Sequence, residues 1–131
     1  MAGFEELEGK IFTDVFVSND RIYFFANYGF SYALFHDQDC CEHVFIESID
    51  GDIATNLPGK RIIEAREAYN SDNKPPEGGP HDDSYTWSFY TIRTERDTFT
   101  IRFFGSSNGY YGETATLYRL QSVSLGDGTI S

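Results

Sequence analysis

Residues 35–45 of the chain, FHDQDCCEHVF, contain two of its three histidines and both of its cysteines. A zinc site needs four such ligands, usually arranged as two spaced pairs. Here the ligands are crowded, and adjacent residues of an extended chain point to opposite sides. Cys40 and Cys41 therefore do not easily share one tetrahedral ion. We expect no metal, and His36, Cys40 and His43 remain only as candidate ligands.

Catalysis by a cysteine of this segment requires a particular environment. A nucleophilic cysteine needs a nearby cation or helix start that favours the thiolate, whereas Asp37, Asp39 and Glu42 disfavour it. We therefore interpret the segment as a polar turn in which the aspartates bond to backbone N–H groups. One cysteine packs as a small hydrophobe, and one histidine pairs with an acid. The alternative that stays open is a metal-dependent hydrolase at His36, Asp39 and Glu42, which needs an ion with an open coordination position.

The segment SSNGYYGE, residues 106–113, is a candidate for ligand recognition. Glycine lets a ligand approach the backbone, and tyrosine offers a flat surface with a polar tip. The lysine and the spacing of a phosphate-binding loop are missing. The structural alternative is a wide hairpin turn whose tyrosines cover one end of the β structure. A tryptophan is more often a core residue than a ligand platform. The candidate binding residues are Asp37, Asp39, Glu42, Trp87, Asn108, Gly109, Tyr110 and Tyr111.

Charge is distributed unevenly along the chain. The 131 residues carry a formal net charge of −11. Residues 1–58 hold two basic and eleven acidic residues, a charge of −9, and residues 59–131 hold eight and ten, a charge of −2. Nucleic acids and anionic membranes require Lys and Arg at their phosphates, so the charge disfavours both as partners. A basic protein partner, a cation or plain solubility explains the charge better.

The elements that must position these residues are short strands separated by turns. An aromatic share of 17%, with 12 Phe and 9 Tyr, favours strands over helices. IFTDVFV and TFTIRFF alternate between two faces, and Asn27-Tyr28-Gly29 and Asp50-Gly51-Asp52 mark turns. IATNLPG contains one helical turn that ends at Pro58-Gly59, and KRIIEAREAYN is interpreted as a strand although its residue types also favour helix. The sequence therefore predicts a mainly β protein, an antiparallel β-sandwich or partly open barrel of about eight strands with at most one short helix.

A chain of this length is one domain, which we place at residues 1–121, with 122–131 as a tail that is a candidate for disorder. Residues 71–83, rich in Pro and Gly, predict a long exposed loop. No segment has the roughly 18 apolar residues of a membrane span, and the N-terminus lacks the apolar region of a signal peptide. Two adjacent cysteines, with no third to pair with, indicate a reduced, cytoplasmic protein. An open sheet edge also allows a homodimer formed by strand pairing.

FHDQDCCEHVFIESIDGD and SYTWSFYTIRTERDTFTIRFFGSSNGYYGE together resemble a family of small uncharacterised proteins encoded by bacteriophages. The family pattern has a His-x-Gln-Asp-Cys-Cys-Glu motif, a Tyr-Thr-Trp-x-Phe-Tyr strand and a Ser-Asn-Gly-Tyr-Tyr turn. The resemblance covers residues 9–120 and implies a phage or prophage origin in a bacterial host, without any established chemistry. The matching residues are His36, Gln38, Asp39, Cys40, Cys41, Glu42, Trp87, Asn108, Gly109, Tyr110 and Tyr111.

The implied origin and the charge together predict a function in binding rather than in catalysis. Small acidic phage proteins are often inhibitors of host defence, because an acidic surface can cover a basic groove on a host protein. We therefore expect a cytoplasmic, non-enzymatic anti-defence inhibitor that occupies such a surface through its acidic N-terminal half, without a cofactor. Sequestration of a small molecule by the Gly-Tyr-Tyr loop is the alternative. The hydrolase at His36, Asp39 and Glu42 is the second alternative.

Overall fold

The computed structural model describes residues 3–37, 42–70, 84–107 and 114–120. These residues form eight strands, a 3₁₀ turn at Phe4–Leu7 and a single-turn helix, α1, at Ile53–Asn56. The strands are β1 (Asp14–Val17), β2 (Arg21–Phe25), β3 (Ser31–Phe35), β4 (His43–Asp50), β5 (Glu64–Asn70), β6 (Ser84–Arg93), β7 (Thr98–Ser107) and β8 (Thr116–Leu120).

The strands are arranged in two four-stranded antiparallel sheets. The first sheet has the order β1-β2-β3-β8 and the second has the order β4-β7-β6-β5. Across the described residues the two sheets stay separate and do not close into a barrel. The predicted mainly β, sandwich-like architecture is therefore confirmed.

One hydrophobic core receives side chains from the inner faces of both sheets. β7 shows the expected alternation, because Phe99, Ile101 and Phe103 are buried while Arg102 is exposed. The 3₁₀ turn adds Phe4, whose ring lies edge-on to that of Tyr90 with 5.1 Å between centroids. The other large core side chains are Leu7, Phe12, Ile22, Phe24, Tyr32, Leu34, Ile53, Leu57, Ile62, Ile92 and Leu117.

The turns follow the local residue types. Gly29 (φ 79°) and Gly51 (φ 91°) occupy the left-handed region at the two turns that the sequence marked. Asp52 then begins α1, since its side chain accepts a hydrogen bond from the Thr55 N–H at 3.2 Å. α1 ends just before Pro58-Gly59, as expected.

Several segments depart from the sequence interpretation or lie outside it. KRIIEAREAYN is a strand only from Glu64 onward, and its first residues instead pair with the segment before β1 through the bridge between Ile11 and Arg61. The sequence did not predict the 3₁₀ turn. The predicted loop at 71–83 and the predicted tail lie outside the described residues. No helix among the described residues is long and apolar enough to cross a membrane.

Candidate functional site

His36 ties together three parts of the chain at the end of β3. Its Nε2 lies 3.0 Å from Oε1 of Glu42, and its Nδ1 lies 3.2 Å from the carbonyl oxygen of Thr114. Both ring nitrogens therefore lie within hydrogen-bond distance of an oxygen atom. The Glu42 side chain is only 1% exposed. The expected pairing of a histidine with an acid is present, and it joins β3, β4 and the approach to β8.

His43 does not join His36 in a common site. It is exposed on β4, and its ring packs against Phe45 with 4.9 Å between centroids. Within the described residues, no group of three or more His, Cys, Asp or Glu side chains could hold a metal ion. Asp39, Cys40 and Cys41 lie outside those residues, so the candidate ligand Cys40 and the alternative of a hydrolase at His36, Asp39 and Glu42 are not tested by this finding.

Trp87 lies on the outer face of the second sheet rather than in the main core. It is 7% exposed, because it packs edge-on against Phe104 at 4.9 Å and the Arg102 guanidinium lies 5.6 Å from its ring centroid. Phe45 and Tyr85 complete this outer cluster around Phe104. Asn108, Gly109, Tyr110 and Tyr111 lie outside the described residues, so the Gly-Tyr-Tyr recognition loop stays a prediction.

The outer face of the first sheet is an aromatic surface that the sequence interpretation missed. Strand register places Phe16 opposite Tyr23, Tyr23 opposite Ala33, and Ala33 opposite Tyr118. This row crosses all four strands, and Ala33 at its centre is fully buried. We refer to the following side chains as the aromatic face: Phe16, Tyr23, Phe25, Phe35 and Tyr118.

Ring contacts make the aromatic face continuous on each side of Ala33. Phe25 contacts Phe16 edge-on at 5.6 Å and stacks on Tyr23 at 5.9 Å. On the other side, Phe35 and Tyr118 lie 4.7 Å apart. Phe16 remains 59% exposed and Phe25 37% exposed. None of these five rings belongs to the core between the sheets. Partly exposed aromatic clusters of this kind are typical of surfaces that contact another molecule.

Charged groups surround the aromatic face. The Arg21 guanidinium lies 4.4 Å from the Phe35 ring centroid and is ion-paired with Asp20 at 3.1 Å. The hydrogen bond from Arg21 lowers the pKa of Asp20, so the pair stays ionised. Asp14 lies opposite Phe25 on the same face and is exposed. Within the described residues, Asp14 and Asp37 take part in no ion pair, which leaves their charges open to a partner.

A second ionic cluster fixes the 3₁₀ turn to the first sheet. The Glu6 carboxylate accepts hydrogen bonds from the Arg119 guanidinium and the Tyr32 hydroxyl. The bonds from Arg119 and then Tyr32 lower the pKa of Glu6 to about 2. Burial, followed by the bond to Glu6, raises the pKa of Tyr32 well above its usual value. Near neutral pH the cluster therefore does not donate a proton, and it serves to attach the 3₁₀ turn to β3 and β8.

The two antiparallel sheets place this protein in the class of small, mainly β domains. A family model described as a domain of unknown function, DUF7448, matches residues 5–117, and the chain belongs to that family. No curated protein and no solved structure matches the chain. Family membership therefore assigns no chemistry to these residues.

Proposed function

We propose that the protein is a non-enzymatic binding protein that occupies a basic surface of another protein through the aromatic face. The observation that carries this proposal is the partly exposed aromatic face on the outer side of the first sheet, on which Phe16 and Phe25 are the most exposed rings. Aromatic residues are enriched at the centres of protein interfaces, where they supply most of the binding free energy. Contiguous exposed apolar side chains often mark a site of interaction with another protein.

Charge supports a basic partner. The chain carries a net charge of −11, although the strands of the first sheet themselves hold only Asp14, Arg21 and Arg119 as charged residues. Asp14 places a carboxylate directly on the aromatic face beside Phe25. The net negative charge of the chain attracts a basic protein over long distances, and the aromatic rings then exclude water at the contact. Acidic proteins and nucleic acids are repelled by the same charge.

The resemblance to bacteriophage proteins extends the proposal to a cellular context. It supports a viral protein that acts in the cytoplasm of a bacterial host and inhibits a host defence protein. Such targets commonly carry basic grooves for nucleic acid, and a small acidic domain is suited to covering one. Neither a cofactor nor a catalytic residue is needed for this activity.

The experiment compares the parent chain with Phe16→Ser as baits in host lysate, without affinity tags. Tyr69→Ser is the matched control, because Tyr69 is an aromatic residue 52% exposed on β5 of the other sheet. We expect Phe16→Ser to reduce the amount of captured basic protein by about tenfold or more, since truncation of an aromatic residue that anchors an interface has an effect of that order. Tyr69→Ser is expected to retain it.

The captured protein is then purified, and its affinity is measured at low and high salt. We expect the affinity to fall as salt rises, because exposed charges are screened within about 10 Å at 0.1 M salt. Equal capture by Phe16→Ser and the parent, or an affinity that does not change with salt, would refute the proposal.

A further inference from the structure

We propose that a pocket between residues 59–63 and the β6–β7 hairpin binds a small phosphate ester. The pocket has a volume of about 260 Å³. The pocket shares no lining residue with the aromatic face, so this inference does not depend on the proposed function. The pocket is lined by Gly59, Lys60, Arg61, Ile63, Glu95 and Arg96.

Positive charge is concentrated in this pocket although the chain as a whole is strongly acidic. Three cations and one carboxylate line it. Within the described part of the chain, neither Arg61 nor Arg96 has an ion-pair partner. Lys60 donates to the carbonyl oxygen of Asn56 at 2.9 Å, which uses one of its three N–H groups. In contrast, the ion-paired arginines are Arg21, Arg66, Arg93, Arg102 and Arg119.

Backbone hydrogen bonds hold the two walls of the pocket together. The Ile63 N–H donates to the Arg93 carbonyl oxygen at 2.8 Å, which attaches one wall to the base of the hairpin. At the hairpin tip, the Asp97 N–H and the Arg96 N–H donate to Oγ1 of the buried Thr94 at 3.1 and 3.3 Å. Arg61 is held in turn by its bridge to Ile11. The backbone at both arginines is therefore anchored, which reduces the ordering cost of binding an anion.

The lining residues indicate the chemistry of the ligand. Two arginines from separate segments suit the tetrahedral oxygens of a phosphate, which accept from several directions, whereas one planar carboxylate is satisfied by a single guanidinium. Glu95 can accept hydrogen bonds from hydroxyl groups on the remainder of the ligand. The volume is slightly below the roughly 300–1,000 Å³ of most ligand pockets. A sugar phosphate has the required phosphate, hydroxyl groups and size.

The test titrates the full chain with inorganic phosphate and with ribose 5-phosphate at constant ionic strength, and follows backbone amide NMR shifts. We expect shifts centred on residues 59–63 and 94–97, and tighter binding of ribose 5-phosphate than of phosphate. Arg61→Gln and Arg96→Gln are each expected to weaken binding by about tenfold or more, because each removes a charge-assisted hydrogen bond.

Arg66→Gln is the matched control, because Arg66 is an exposed arginine that is paired with Glu64 outside the pocket. It removes the same charge and is expected to change the affinity by less than about twofold. A loss as large as that of Arg61→Gln, or shifts spread over all basic residues, would show general charge attraction and overturn the site. Equal affinities for phosphate and ribose 5-phosphate would overturn the assignment to an ester.

Discussion

Nε2 of His36 lies 3.0 Å from Oε1 of Glu42, so one ion pair joins the two ends of the connector between the sheets. β3 ends one residue before His36, and β4 begins one residue after Glu42. The third contact, from His36 Nδ1 to the Thr114 carbonyl oxygen, adds the approach to β8. The connector between the two sheets is thus held by polar contacts of the largely buried His36 and Glu42 side chains as well as by apolar packing.

Replacing His36 by Gln is expected to lower the free energy of unfolding by about 1–3 kcal/mol, because it removes the contacts of the imidazole with the Glu42 carboxylate and with the Thr114 carbonyl oxygen. Urea unfolding followed by the fluorescence of Trp87, the single tryptophan of the chain, measures this change. The double variant His36→Gln, Glu42→Gln is expected to lose less unfolding free energy than the sum of the losses of the two single variants, since the two residues are in contact.

His43→Gln provides the control for that measurement. His43 is exposed and has no ion pair within the described residues, so we expect a change of less than about 0.5 kcal/mol. Equal losses for His36→Gln and His43→Gln would mean that the ion pair does not hold the connector.

Stability is expected to fall in acid through the Glu6 cluster. The bonds from Arg119 and Tyr32 lower the pKa of Glu6 from its ordinary 4.5 to about 2. Because the folded protein holds the carboxylate ionised at lower pH than the unfolded chain does, this contribution is complete above pH 4.5. It is lost progressively as the pH falls from 4.5 toward about 2. Urea unfolding at a series of pH values in this range measures the loss.

Glu6→Gln is expected to be less stable than the parent at neutral pH and to lose less stability in acid. Glu5→Gln is the control, because Glu5 is an exposed neighbour in the same 3₁₀ turn. We expect it to follow the parent curve. If Glu6→Gln and the parent have parallel pH profiles, the lowered pKa of Glu6 does not contribute to stability.

Adjacent phenylalanines on β2 are expected to differ strongly in their effect on stability. Phe24 is fully buried between the sheets, whereas Phe25 lies on the aromatic face. Phe24→Ala is expected to cost about 3–5 kcal/mol, the usual result for a buried phenylalanine. Phe25→Ala is expected to cost less than about 1 kcal/mol, because the ring is partly exposed already. Similar losses for the two variants would indicate that the strand presents the opposite face or has a different register.

Alternation along the strands predicted the fold well because each inner face is buried against the other sheet. It did not predict the segment IFTDVFV correctly, since Phe12 and Val15 are both buried although they lie on opposite faces of a regular strand. The reason is a change of partner. The Phe12 carbonyl oxygen accepts from the Gly59 N–H at 2.8 Å, whereas Asp14–Val17 pairs with β2. A local pattern cannot reveal a change of partner that tertiary contacts impose.

The candidate site was only partly predictable for related reasons. His36 and Glu42 are close in sequence, so their pairing was accessible to local reasoning. The aromatic face had a signal that was not used: RIYFF and SYALF are apolar at nearly every position, which is typical of strands covered on both faces. The pocket at Arg61 and Arg96 could not be predicted from local sequence, because these residues are far apart in the chain and come together only through the β6–β7 hairpin.

The turn at Gly51 provides a final prediction about backbone conformation. Gly51 has a φ of 91°, and an added Cβ atom would lie 2.9 Å from Cδ1 of Phe99. Gly51→Ala is therefore expected to carry two costs, the left-handed backbone strain of about 1 kcal/mol and a displacement of the buried Phe99 ring.

Gly9→Ala isolates the first cost, since Gly9 has a φ of 84° and its added Cβ atom would meet nothing within 4 Å. We expect urea unfolding to show a loss for Gly51→Ala larger by about 1 kcal/mol or more, as overpacking of a core ring usually costs that much. Equal losses at the two glycines would mean that the turn moves away from Phe99 without cost.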